Sequence, residues 1–132
     1  MKKIALFMLI VFCLGLTGCS KDAEVNAFVT ENRAIIDEIV KKVEADPSEK
    51  GVDEAQKAFD AKKASLKEKW EAIKSARKAQ VSADVQKKME TEVPADMKKL
   101  TDVQMKHVLK LGSGGNEKFG KLLKDYQEII KM

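Results

Sequence analysis

The sequence predicts an all-α protein, an elongated antiparallel bundle of three or four helices behind a cleaved signal peptide. Three observations lead there. From residue 22 onward apolar side chains recur at steps of three and four, the spacing that places them on one face of a helix. Residues 52 to 73 add a seven-residue spacing, which suits helices packed along a narrow seam. No stretch alternates apolar and polar residues as a half-buried strand does.

The first element is a leader over 1–18. Lys2 and Lys3 form a basic start, and Ile4 to Leu16 is an uncharged run, apolar apart from Gly15. As a helix this run reaches about 20 Å, against the roughly 30 Å of hydrocarbon that a lasting anchor must cross. It is therefore expected to be cut. Leu16-Thr17-Gly18-Cys19 closes the run. This string resembles the lipobox of bacterial lipoprotein precursors, an aliphatic residue, a small or hydroxyl residue, Gly or Ala, and an obligatory Cys. The resemblance implies a diacylglycerol on the Cys19 thiol, cleavage between Gly18 and Cys19, and a new amino group open to acylation. The protein would then be held to the membrane by its N-terminal lipid. Ser20 stands where the sorting pattern of such proteins has Asp for inner-membrane retention, so the resemblance favours the outer membrane, with the domain facing the periplasm.

Residues 19–132 are expected to form one helical domain, which on this resemblance is lipid-anchored. Cys13 leaves with the leader, so the one remaining cysteine is the lipidated one and no disulfide forms within the chain. The first helix, 22–45, carries Val25, Phe28, Val29, Ile35, Ile36, Ile39, Val40 and Val43 on one stripe, with Asp37, Glu38, Lys41 and Lys42 outside it. Asp46-Pro47-Ser48-Glu49 reads as the start of a second helix over 47–80, with Asp46 as cap, Pro47 at the first helical position and Glu49 reaching back. Gly51 weakens its opening turns. Val52, Phe59, Leu66 and Ile73 form its seam, with Trp70 alongside and alanines at 55, 58, 61, 64, 72, 76 and 79 allowing close approach.

Ser82 is placed to cap a third helix over 83–111, whose inner side is read as Val85, Met89, Val93, Met97, Leu100, Gln104, Val108 and Leu111. Pro94 is expected to kink or split it. Gly112-Ser113-Gly114-Gly115-Asn116 is expected to be a flexible loop that ends it. A fourth helix over 116–131 turns Phe119, Leu122, Leu123, Tyr126, Ile129 and Ile130 inward.

Charge bounds the function. Removing Lys2 and Lys3 with the leader lowers the net charge from +4 to +2, too mild for a nucleic-acid-binding surface. Residues 21–49 hold four basic and eight acidic side chains, and residues 50–80 nine basic and five acidic. Two neighbouring helices whose faces attract each other account for this, while a lysine-rich face toward lipid phosphate or an acidic partner is the functional alternative. Catalytic groups are scarce. His107 is the single histidine and reads as a surface or boundary residue, no glycine-framed serine sits at a strand-to-helix turn, and cysteine-based metal sites are excluded. The glycine-rich segment lacks the spacing and the Gly-Lys-Ser/Thr ending of a nucleotide loop. Glu90, Glu92 and Asp96, mixed with Lys87, Lys88, Lys98 and Lys99, read as a solvated charged face.

One short string adds a second resemblance. Leu100-Thr101-Asp102-Val103-Gln104 is similar to the LTxxQ signature of periplasmic helical chaperones and envelope-stress sensors of the Spy and CpxP type. It has the form of a capping box, with the Thr101 hydroxyl accepting from the amide three residues on and Gln104 returning the bond, while the apolar run from Met97 to Leu111 would instead place Thr101 inside a helix. Ser82-Ala83-Asp84-Val85-Gln86 repeats its Asp-Val-Gln core.

The expected protein is not an enzyme and needs no cofactor beyond the covalent lipid on Cys19. It acts as an interaction or scaffold module toward another envelope protein, as monomer or homodimer. The alternative is a chaperone or stress sensor of the LTxxQ type, holding clients on a surface that mixes lysines with Met89, Met97 and Met105.

Overall fold

The computed structural model describes residues 20–76 and 80–131. They form three helices, α1 Asp22–Ala45, α2 Glu49–Lys74 and α3 Ala83–Ile129, with no strand among the described residues. A break at Gly112 divides α3 into two arms, so the bundle has four helical segments running up, down, up and down. The leader with Gly18 and Cys19 lies outside the described residues.

The stripe of α1 becomes the centre of the bundle. Val25, Phe28, Val29, Ile35, Ile36, Ile39 and Val43 are all buried, and Val40 packs against them half-buried. The seven-residue seam of α2 is equally complete, with Val52, Phe59, Leu66 and Ile73 inside. Trp70 packs on Phe28 with ring centroids 5.3 Å apart, and Phe59 meets Tyr126 edge-on at 6.4 Å. Of the alanines in α2 only Ala55 is fully buried, and 61, 64 and 72 face solvent, so large side chains and not small ones make this interface.

The start of α2 differs from its expected form. The helix begins at Glu49, with Ser48 as N-cap residue, and the Ser48 hydroxyl donates to Asp46 Oδ1 at 2.7 Å instead of capping an amide. Gly51 has a steric reason to be glycine. A Cβ there would lie 1.7 Å from the Asp46 carbonyl oxygen, because the tight turn folds back over the first turn of α2. The helix ends at Lys74, six residues short of the expected boundary. Ser82 caps α3 as expected, its Oγ accepting from the Val85 amide at 3.4 Å.

Pro94 neither splits nor ends α3. Backbone angles stay helical across it and depart from helix only at Gly112. Pro94 and Glu90, whose carbonyl loses its usual amide partner to the proline, are both exposed residues, and an exposed face is where a helix tolerates that loss. The expected loop over 112–116 is likewise a correction, since one residue makes the turn and Ser113 to Asn116 are already helical.

The uneven charge of the two halves resolves into pairs. Glu38 accepts from Lys62 across α1 and α2 at 2.8 Å, and Glu31 pairs with Lys69. From α3, Lys99 reaches Asp37 at 3.0 Å and Lys106 reaches Glu44 at 2.8 Å. Being exposed or half-buried at the bundle surface, these pairs set which helix faces meet more than they stabilise the whole. Among the described residues no helix is long and apolar enough to cross a membrane.

Candidate functional site

Gly112 has φ +65° and ψ −176°, a conformation open to glycine and strained for any other residue. It ends the rising arm of α3, and Asn116 takes up the carbonyls this leaves. Its Nδ2 donates to the Val108 and Gly112 carbonyl oxygens, both at 2.7 Å. Gln104 Nε2 adds a long bond to the Asn116 carbonyl at 3.5 Å. The turn is thereby fixed with few residues, and the last two turns of the rising arm form a firm tip beside the turn between α1 and α2.

On that tip three large apolar side chains face out. Met105 is 73% exposed, Val108 47% and Leu109 94%. Lys106 and Lys110 lie along one side of them, about 60° and 100° around the helix from Leu109, Lys106 being tied to Glu44 at the end of α1. At 100° per residue Leu109 lies half a turn around the helix from the fully buried Leu100, so its exposure follows from the phase of α3. Val108 sits about 80° from Leu100 and is a correction to the inward assignment. The tip lies at the end of the bundle opposite residue 20. α1 alone, with 24 residues, separates the two ends by about 36 Å.

Below the tip a polar cluster is built into the core. Asn32 and Asp96 are both completely buried. The Tyr126 hydroxyl donates to Asn32 Oδ1 at 2.6 Å, joining α1 to the descending arm of α3. Burial pushes the Tyr126 phenol well above its ordinary range, with the Asp96 charge acting in the same direction and the bond to Asn32 against it. Arg33 Nε approaches Asp96 at 3.4 Å and its Nη2 approaches Glu92 at 2.9 Å, while Lys99 Nζ lies 3.2 Å from Asp96. Asp96 and then Glu92 raise the Arg33 pKa further, and bonds to Asp37 and Asp96 raise that of Lys99. Asn32 Nδ2 and Asp96 Oδ2 are buried without a hydrogen-bond partner. A polar group at one level of an apolar seam makes any slipped register costly, so this cluster sets how α1 and the two arms of α3 align.

Other expected residues fall in separate places. Leu100 is core, but Thr101 lies mid-helix and its exposed hydroxyl donates back to the Lys98 carbonyl at 2.9 Å, so Leu100, Thr101 and Gln104 form no capping box. Met89 and Met97 pack half-buried against the core and only Met105 is exposed, so the three methionines share no surface. Of the three neighbouring carboxylates read as a solvated face, Glu90 is exposed, Glu92 half-buried and Asp96 inside. His107 is half-buried with Nε2 enclosed and unpartnered. Among the described residues no three His, Cys, Asp or Glu side chains come together as a metal site. Asn32 and Tyr126 escaped the sequence reading as polar partners, although an Asn between Val29 and Ile35 on an apolar stripe is a visible exception to it. No family model, curated protein or solved structure matches the chain.

Proposed function

We propose that this protein is a non-enzymatic, lipid-anchored interaction module of the bacterial envelope, presenting its tip to another envelope protein. The observation that carries the reading is the exposed cluster of Met105, Val108 and Leu109, held on a firm turn at the end of the bundle remote from residue 20. The lipobox string at Leu16 to Cys19 supplies the other half, since it would tether that opposite end through a lipid on Cys19, on the periplasmic side and preferentially at the outer membrane. Large apolar side chains cost solvation when exposed and repay it on docking, and a small apolar cluster edged by lysines suits a specific contact. Exposed Met105 beside Lys106 also suits the second reading, a chaperone that holds unfolded clients through a flexible apolar side chain.

The two readings part on one substitution. A photocrosslinking residue at 109 in intact cells should capture one or a few envelope proteins, and the same residue at position 67, on the exposed face of α2, should not. Leu109→Glu should abolish that capture while leaving helicity unchanged. If position 109 and position 67 capture the same broad set, the scaffold reading fails. Suppression of aggregation of an unrelated unfolding protein at near-equimolar ratio, lost in Leu109→Glu, would establish the chaperone reading instead.

A further inference from the structure

The four segments do not close fully at the end of the bundle where residue 20 enters. One hollow of about 130 Å³ opens between Val25, Ile73 and Val81, and a second of about 170 Å³ between Trp70, Val93 and Ile130. Met89 and Glu90 belong to the walls of both, which makes them adjoining parts of one apolar recess. Its rim is polar, with Gln86 Nε2 donating to Glu90 Oε1 at 2.8 Å.

The chain is pinned beside this recess as it enters the bundle. The Lys21 amide donates to the Gln80 carbonyl at 2.6 Å, and the Ser82 amide donates to Asp22 Oδ1 at 2.8 Å. Val81, between those two clamps, lines the first hollow. Cys19 precedes Lys21 by two residues, a span of about 7 Å at full extension. We infer that the recess receives one of the acyl chains carried by Cys19 whenever the protein is out of the bilayer. This rests on the lipid-anchor reading above and adds an intramolecular site for the lipid.

Size and solvent decide how such a site works. An apolar cavity of about 150 Å³ takes one benzene, so the two hollows together take roughly a dozen carbons of a single chain. Within a bilayer the chain is already out of water and gains nothing by entering the protein. In water the hydrophobic effect drives it into the recess. The recess is therefore empty of lipid when the protein is seated in a membrane and filled when it is in aqueous transit.

Trp70, the single tryptophan, is part of the recess wall and reports directly on its occupant. The full chain is to be made in a fatty-acid auxotroph grown on dibrominated stearate, whose bromine atoms quench indole on contact, and purified in ordinary detergent. Mass spectrometry first establishes whether Cys19 is acylated. Trp70 emission is then read in micelles and after dilution below the micellar concentration, with sedimentation of the same samples. Dilution should quench Trp70 at least twofold, as it would with half or more of the molecules occupied, and the quenching should not change with protein concentration, because chain and recess belong to the same molecule. The same protein with unbrominated chains should show no quenching. Val81→Glu, which puts a carboxylate at the mouth without cutting into the fully buried core, should return emission to its micellar value. A protein without an acyl mass removes the anchor reading and this inference together. An acylated protein whose Trp70 is unchanged on dilution, or whose quenching rises with protein concentration, or in which Val81→Glu keeps full quenching, overturns the inference alone.

Discussion

Replacing Trp70 by Ala tests the packing from which the fold was derived. The indole is 8% exposed and stacks obliquely on Phe28, itself completely buried, at a centroid distance of 5.3 Å. Truncating a buried aromatic costs about 3 to 5 kcal/mol, of which an aromatic pair supplies about 0.5 to 1.5. One side of the indole borders the hollow of about 170 Å³, where neighbouring atoms are missing already. That places the expected loss at the lower end, about 3 kcal/mol. A domain of this size shifts its midpoint by roughly 4 °C per kcal/mol, so Tm should fall by about 12 °C. Urea unfolding followed by circular dichroism at 222 nm measures this without the lost fluorophore, and Phe28→Leu serves as the milder comparison. A loss below about 1 kcal/mol would mean that the indole is not part of the seam, and the assignment of α2's inner face would fall with it.

Two further outcomes follow from the polar groups. Tyr126→Phe should destabilise by about 1 to 3 kcal/mol, because it leaves Asn32 buried with neither side-chain polar atom bonded, and adding Asn32→Leu should recover part of that loss. A double mutant less stable than Tyr126→Phe alone would refute this account. Stability should also fall in acid. The bond from Lys62 holds Glu38 below the ordinary 4.5 against a smaller effect of burial, and in Glu31 burial acts upward but is outweighed by Lys69 and Ser65. Groups lowered in the folded state contribute their stability above pH 4.5 and lose it as pH falls through the folded values, so urea midpoints should be flat above about pH 5.5 and decline below 4.5. The decline should be smaller in Lys62→Met, and an unchanged decline would show that these pairs do not set it.

Periodicity determined by itself that the chain is helical, where α1 begins and ends, and which faces of α1 and α2 turn inward. These are local facts, since 100° per residue places Val25 through Val43 on one stripe whatever they meet. Ser82 as a cap was equally legible, because hydroxyl and amide are three residues apart. Other outcomes depended on partners distant in the chain. Only the folded turn reveals why Gly51 is tolerated in a helix, and only the structure shows that α3 passes through Pro94, where Glu90 and Pro94 are both exposed. Asp96 looked like its neighbouring carboxylates until the bundle closed over it, with Arg33 arriving from 63 residues away. The exposed tip lay between the two cases. The phase of α3 was sufficient to turn Leu109 away from Leu100, but that nothing packs on it, as α1 packs on the opposite face, was decided when the Gly112 break sent the descending arm back along the bundle. A helix fixes the direction in which each side chain points, and tertiary packing fixes which of those directions meet protein.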